Sequence, residues 1–533
     1  MIAARLIALL AIAFCLLLPG AGYAETATSP QASGSSNSTA DLTFTILHTN
    51  DLHAHDSSFM EKGHLVGGIA RIASLIKEIR GNTKNVVVVD AGDIFQGTPF
   101  FKLYHGQVEV DMLNAAGYDV YTIGNHEFDD GARNLAERLK SAKFDIVSAN
   151  LDASALPDLA KLVKPSVIKT IDGKKVAFIG GITPRLPEVA LNLEGVKVKA
   201  MGAEWMQPFK DEAKRLKAEG VDKIVLISHI GVEMEKPLAQ EVPELDVIIG
   251  GHSHTRLDQP ILIQRPDGSS CAIVQAWCYG RMLGKLKVSF DKQGNLILSD
   301  LNYHLIPITD SIAEEPAMKA ELLKKGKPFR SQERTICGVA MGGFPNHFRN
   351  CWSDSAIGDL ITDSLVDAGK KYGATIGLQN RGGIRGGIDE GTISQSKVEE
   401  VLPFDNRLVF ATVKGSVLLK ALEHGLCNEF SGGRFLDVSG LKVEYDRKAP
   451  ADHKLISVKT ITPAGKWEDV EPNKLYKIAV NDFTFKGGEG FDFSSATNVF
   501  QTQKRLSVFF MNYLVKNKKV TPCPGTRITP VHE

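Results

Sequence analysis

The chain reads as an α/β protein of two domains behind an export leader. From Asp41 to about Pro307, short apolar runs of strand character alternate with helical stretches whose apolar residues recur every three or four positions. A charged amphipathic segment bounded by Pro and Gly, TDSIAEEPAMKAELLKKGK (309–327), then reads as a connecting helix. A second domain opens near Thr335 with the helical stretch SDSAIGDLITDSLVDAGKKYG. The organisation is therefore 1–24 signal peptide, 25–40 leader, 41–307 first domain, 308–334 connector and 335–533 second domain.

Taken in order, residues 1–24 carry Arg5, an apolar core IALLAIAFCLLL and small residues in PGAGYA before Glu25, the pattern of a secretory signal cut after Ala24. A retained anchor is the competing reading, but the apolar run is short and ends at Pro19 and Gly20. Cys15, preceded by Phe14, is a poor lipoprotein cleavage site, so no stable membrane anchor is expected. TATSPQASGSSNSTA (26–40) has almost no apolar bulk and predicts a flexible leader. The runs TFTIL, NVVVV, VYTI, KIVLIS and LDVIIG predict strands buried on both faces, as in parallel sheets. GGIARIASLIKEIR, GARNLAERLKSAK and EWMQPFKDEAKRLKAEG predict helices, the last ended by Gly220.

Composition narrows the class. A chain of 533 residues, 43% hydrophobic, is long enough for two or more cores. Lys+Arg and Asp+Glu balance at 62 each, so nothing in the charge suggests a nucleic-acid-binding surface. Outside the signal, six cysteines remain, an even number that suggests disulfides in an exported protein. The simplest pairing is Cys271–Cys278, Cys337–Cys351 and Cys427–Cys523. A cysteine metal site lacks any CxxC pair.

Ligand-type residues stand where the strand runs give way to Gly or a turn. They are Asp51 and His53 in TNDLHAH, Asp93 in VVVVDAGD and Asn125 in TIGNHEFDDG, followed by His229 in IVLISHIG and by His252 and His254 in VIIGGHSH. Any one of these histidines is as well explained as a structural residue, and Asp51 or Asn125 alone as an Asx-turn or cap. Five such segments in order, each at the carboxyl end of a strand where α/β folds bind ligands, point to a site. Carboxylates and imidazoles around two divalent ions form a clamp for in-line displacement at phosphorus. His48, His55, His64, His304 and His424 have no partner pattern and read as ordinary.

This order of segments resembles the calcineurin-like metallophosphoesterases, and GNHEFD with the second half of the chain resembles the bacterial and animal 5'-nucleotidase family over roughly residues 41–530. The resemblance implies a four-layer α/β/β/α sandwich followed by an α/β substrate-binding domain. It also implies one metal on Asp51, His53, Asp93 and His254 and another on Asp93, Asn125, His229 and His252, with Asp93 bridging. Some relatives carry an amide at the position of His254, so a more nitrogen-rich site shifts preference toward zinc, manganese or cobalt. His126 would stabilise charge on the transferring group or protonate the leaving alkoxide, with Asp129 orienting it.

The second domain carries GLQNRGGIRGGIDEG (377–391), which alone reads best as a Gly-rich surface turn. The resemblance matches Asn380, Gly382, Gly383, Ile384 and Arg385 to a family motif in which the asparagine contacts the base and the arginine the phosphate. Arg381, standing where relatives have a small residue, and Arg349, in HFRNCWSDSAIGDL, are further candidate substrate contacts, each toward the phosphate. Phe404 in VLPFDNRL and Phe483 in VNDFTFKGGEGF match the pair that sandwiches a nucleobase, and Glu489 takes the place of a ribose-binding carboxylate that is usually Asp. The expected reaction is hydrolysis of nucleoside 5'-monophosphates, extending to nucleotide sugars and to di- and triphosphates, with hinge closure between domains. The alternatives are a 2',3'-cyclic phosphodiesterase with 3'-nucleotidase activity and a non-catalytic nucleotide-binding surface protein. Oligomeric state is open.

Overall fold

Two sheets packed face to face organise the first half of the chain. The structure, a computed structural model, describes residues 40–61, 63–346, 352–426, 432–462, 464–523 and 526–531. One sheet of seven strands runs Asn302–Pro307, Met282–Phe290, Leu42–Thr49, Val86–Asp90, Val120–Thr122, Asp145–Val147, Val163–Lys164. The other, of six, runs Ile261–Gln264, Ser270–Val274, Val247–Gly250, Ile224–His229, Lys174–Ile182, Ser166–Ile171. The strands that carry the site motifs pair in parallel: Leu42–Thr49 with Val86–Asp90 and on to Val120–Thr122, and Ile224–His229 with Val247–Gly250.

Parallel pairing brings the carboxyl ends of these strands to one rim, because the connections return over the sheet faces. Phe44, Ile46, Val87 and Val89 of one sheet share a buried cluster with Phe178, Val225, Ile227 and Ile249 of the other. Helices Ile69–Asn82 and Ala132–Leu139 cover the outer face of the first sheet, and Gln207–Ala218 and Val232–Glu241 that of the second. The result is the expected α/β/β/α four-layer arrangement. Sequence periodicity located the helices to within a few residues; Gln207–Ala218, for example, runs out at Gly220, whose φ of 76° suits only glycine readily.

The connecting helix is shorter than the amphipathic stretch predicted. It spans Pro316–Gly326, capped by the Glu315 carboxylate on the Met318 N–H, and a 3₁₀ turn and short helix carry the chain to Arg334. Beyond it a five-stranded sheet runs Leu436–Ser439, Ile376–Asn380, Leu475–Asn481, Arg407–Lys414, Thr497–Arg505. Helices Ala356–Gly369 and Leu506–Asn517 cover one face and Gly415–Leu426 the other. Among the described residues, none of the helices is long and apolar enough to cross a membrane.

The expected Cys271–Cys278 disulfide does not form, since both thiols are free and buried. Cys271 lies within strand Ser270–Val274 and faces the helix-covered core, where burial pushes its thiol up to about 12. An extended chain rises ~3.3 Å per residue, so Cys278 emerges beyond the strand end, its sulfur 3.5 Å from Arg281 Nη1. Cys337 and Cys523 are also free thiols. Cys351 and Cys427, the partners expected for them, lie outside the described residues.

Candidate metal centre

All seven candidate ligands sit on the common rim at or just past a strand end, five of them in left-handed backbone. Asp51, His53, Asp93, His252 and His254 have φ of 51°, 49°, 58°, 70° and 50°. Each non-glycine residue in such a conformation costs on the order of 1 kcal/mol or more and persists only where its surroundings hold it. Gly92 lets the loops meet, since a Cβ there would lie 2.7 Å from the Gly124 backbone nitrogen. The brace is Glu127, whose buried carboxylate accepts the N–H groups of Asp93 (3.1 Å), Ile94 (2.7 Å), Phe95 (3.2 Å) and Gly124 (2.7 Å). Sequence reasoning passed over Glu127 although it lies inside GNHEFDDG. The signal was a lone acid beside two loops whose amides needed an acceptor.

Side chains on the rim gather into two groups, Asp51 with His53 and His254, and Asp93 with His229 and His252, the ligand atoms of each within 4.8 Å of one another. His254 Nε2 lies 3.3 Å from Asp51 Oδ1 and His229 Nε2 3.0 Å from Asp93 Oδ2. Asp93 also approaches the first group, its Oδ2 being 3.7 Å from His53 Nε2. The Asp51 carboxylate is held by the His252 N–H at 3.0 and 3.1 Å and by Asn50 Nδ2 at 2.6 Å.

Hydrogen bonds behind the rings set the tautomers. His229 Nδ1 donates to Ala91 O at 2.6 Å and His53 Nδ1 to Gln96 O at 3.1 Å, which turns both Nε2 lone pairs toward carboxylates. A lone pair facing a carboxylate is repulsive unless a cation or proton lies between them. Asn125 lines the same space, and its buried Oδ1 has no hydrogen-bond partner among the described residues. Charge tells the same story. Burial depresses an imidazole, yet Asp93 overrides it and pushes His229 up to about 10, and Asp51 does the same to His254, up to about 9. His252, where burial and then His229 dominate, drops to about 3. These residues fit two divalent cations, each offered one carboxylate and two imidazoles.

His126 stands beside the groups without joining either. Its backbone N–H donates to Asp93 Oδ1 at 2.8 Å, and its Nδ1 lies 2.9 Å from Asp129 Oδ2. Burial would lower its pKa, but Asp129 and Asp93 outweigh burial and raise it. Its two acidic neighbours therefore favour the protonated ring.

The second half closes over this rim and leaves a cavity of about 710 Å³, lined by Asn125, His126 and His254 on one side and by Arg385, Phe404 and Phe483 on the other. Arg385 reaches furthest, with Nη2 2.8 Å from His53 Nε2. Phe404 lies over His126 with ring centroids 5.6 Å apart. Asn380 also lines the cavity; its Oδ1 accepts from Asn481 Nδ2 (2.9 Å) and Thr484 Oγ1 (3.1 Å), and its Nδ2 donates to Glu489 Oε2 (3.1 Å). Glu489 has φ of 55°, and burial pushes its carboxyl up to about 7.

Arg381 is a correction. Instead of facing a phosphate, its guanidinium is 1% exposed and bound to the Asp437 carboxylate at 2.6 and 3.1 Å. It also donates to Ser353 O at 2.9 Å and lies 4.3 Å over the Phe435 ring. Local sequence could not reveal this, because the partner carboxylate lies 56 residues downstream. Arg349 lies outside the described residues. Two residues read as ordinary or not read at all also belong here. His55 donates from Nδ1 to His53 O at 2.8 Å, and Tyr279 stacks on His55 at 4.3 Å.

A fold of two facing sheets with paired acid and imidazole groups on its rim is that of a phosphoesterase, and the family model described as calcineurin-like phosphoesterase matches residues 44–256. The model for the 5'-nucleotidase C-terminal domain matches residues 337–496. The 5'-nucleotidases of Bos taurus and Homo sapiens are each 33% identical over 84% of this chain and 83% of their own length. A trifunctional nucleotide phosphoesterase of Bacillus subtilis is 32% identical over 84% of this chain, which spans 32% of that protein. Among solved structures, a 5'-nucleotidase precursor from Thermus thermophilus has 34% identity and a TM-score of 0.87, over 92% of this chain and 100% of its own. The chain belongs to the 5'-nucleotidase family, metal-dependent phosphoester hydrolases built from a calcineurin-like domain and a family-specific C-terminal domain.

Proposed function

We propose that the protein is an exported two-metal hydrolase that releases phosphate from nucleoside 5'-monophosphates and extends to nucleotide sugars and nucleoside di- and triphosphates. The observation that carries this reading is the convergence of two metal-type groups, two arginines, Arg185 and Arg385, and two half-buried phenylalanines on a single cavity. Asp51, His53, Asp93 and His254 would hold one ion, and Asp93, Asn125, His229 and His252 the other. Zinc, manganese or cobalt suits a set containing four imidazoles better than magnesium does. When bound, the ions supply Lewis acidity toward the phosphoryl oxygens and a hydroxide nucleophile at neutral pH.

The remaining steps belong to side chains. Arg385 pairs with the phosphate oxygens, and Phe404 and Phe483 stack on the base, which fixes the phosphorus over the rim. His126, raised toward its protonated form by Asp129 and Asp93, stabilises charge on the transferring group and delivers a proton to the departing alkoxide. Glu489 accepts from ribose hydroxyls, and Asn380 directs its remaining amide hydrogen to the base. Because the metal groups and the base pocket lie on different halves, substrate entry and product release require the halves to part about the 308–334 connector. Export rests on the signal-like residues 1–24, which lie outside the described region.

Phosphate release from AMP, UDP-glucose and 2',3'-cyclic AMP with added manganese or cobalt tests the reading. AMP should be the best of the three. A marked preference for the cyclic substrate would move the protein to the cyclic phosphodiesterases, and no turnover of any would leave a binding protein. Asp93→Ala should abolish turnover and remove at least one ion by elemental analysis; two retained ions would break the bridging assignment.

A further inference from the structure

Residues 277–280 form a short, strained bridge between the two halves. Trp277 and Tyr279, neither of them glycine, have φ of 67° and 60°, followed by Gly280 at 66°. Strain of this kind is retained where several contacts over-determine the backbone. Here the Tyr279 N–H donates to Asp51 O at 2.7 Å, Asn50 Nδ2 donates to Trp277 O at 2.6 Å, and the Arg281 guanidinium lies 4.8 Å from the Tyr279 ring centroid.

That conformation aims one side chain at both halves of the site. The Tyr279 ring meets His53 edge-on at 5.6 Å and 67°, and His254 at 5.6 Å and 77°. These are two of the three side chains in the first metal group. The opposite face of the metal-ligand loop is steadied by His55, stacked on the same ring at 19°. The hydroxyl then crosses to the second half and donates to the backbone carbonyl of Arg385 at 3.1 Å. The Arg385 N–H is tied to Val401 O at 2.9 Å, so the backbone is held on both sides of the Arg385 Cα.

We propose that Tyr279 is a positioning residue for the reaction: its hydroxyl sets the Arg385 guanidinium over the metal groups, and its ring edge buttresses His53 and His254. The first half of this statement rests on Arg385 contacting substrate phosphate. Tyr279 touches neither metal nor substrate, and acts through three residues that do. The arrangement ties domain closure to site geometry, because the hydroxyl contact exists only while the two halves are together.

Tyr279→Phe keeps the ring and removes the hydroxyl. It should lower kcat/KM for AMP by about 2- to 12-fold, the worth of one neutral hydrogen bond, with unchanged metal content and melting temperature. In an Arg385→Ala background the same change should cause no further loss, since the group it positions is gone. If Arg385→Ala leaves AMP turnover intact, the phosphate role of Arg385 falls. If Arg385→Ala is impaired but Tyr279→Phe is not, or impairs equally in both backgrounds, the positioning role alone falls. Tyr279→Leu, which removes the ring, should retain less metal than Tyr279→Phe after dialysis against a weak chelator, measured by elemental analysis. Equal retention by the Leu, Phe and unaltered proteins would overturn the buttress.

Discussion

Replacing Arg381 by Met separates a structural arginine from a substrate-binding one. The side chain is 1% exposed and its partner Asp437 is fully buried, so solvent screens the pair very little. Among the described residues, removing the guanidinium leaves Asp437 with the Ser355 N–H at 3.0 Å and the Ser355 hydroxyl at 3.4 Å. Breaking one side of a buried ion pair costs about 3–5 kcal/mol, because an uncompensated charge stays inside. For a cooperative unit of about 200 residues that lowers the melting temperature by roughly 6–20 °C, at about 2–4 °C per kcal/mol. Differential scanning calorimetry reads the shift, and AMP hydrolysis well below the transition should show kcat and KM near those of the unaltered protein. Asp437→Leu added to Arg381→Met should recover much of the loss, since an apolar replacement of both partners removes the stranded charge. A variant that melts normally yet binds AMP ten times more weakly would refute the structural reading and return Arg381 to the phosphate, that tenfold loss being about 1.4 kcal/mol.

His126→Ala should keep both metals while lowering kcat about 10²–10⁴-fold; loss of a metal with little effect on chemistry would make it a ligand. Phe404→Ala should raise KM for AMP, by about 1–3 kcal/mol of lost stacking, and leave bis-p-nitrophenyl phosphate hydrolysis largely intact; equal losses on both substrates would mark the ring as core. Glu489 should give nucleotide binding a pH dependence. Burial raises it to about 7, so protonation below that pH removes an acceptor and KM for AMP should climb as pH falls through about 7, a slope absent in Glu489→Gln. The stability sign is opposite: a carboxyl whose folded pKa exceeds its unfolded value of 4.5 disfavours folding increasingly as pH rises from there to about 7, so Glu489→Gln should be no less stable at pH 8.

Much of the site was legible because its chemistry is local. An apolar run ending in Gly and a ligand-type residue predicts a buried strand and what stands at its carboxyl end, and parallel pairing then carries five such ends to one rim. Asp51, Asp93, His229, His252 and His254 were therefore nameable before their distances were. The recurrence of apolar residues likewise placed helices such as Ile69–Asn82 and Ala356–Gly369, since burying one face needs only that period.

Direction and partnership were decided in three dimensions. Arg381 and Arg385 lie four residues apart in one glycine-rich loop, yet one is sealed against Asp437 and the other reaches His53, 332 residues away. Cys271 and Cys278 are close in sequence but fall inside a strand and beyond its end, which denies them a bond. Tyr279 carries no motif, and Glu127, though inside GNHEFDDG, finds most of its partners on another loop. Their importance arises from the loop amides and imidazoles that the fold brings around them. A residue's type and strand position follow from the chain's own local energetics. Which partner answers its charge or hydrogen bond depends on desolvation by segments hundreds of residues distant, and only the packed structure supplies those.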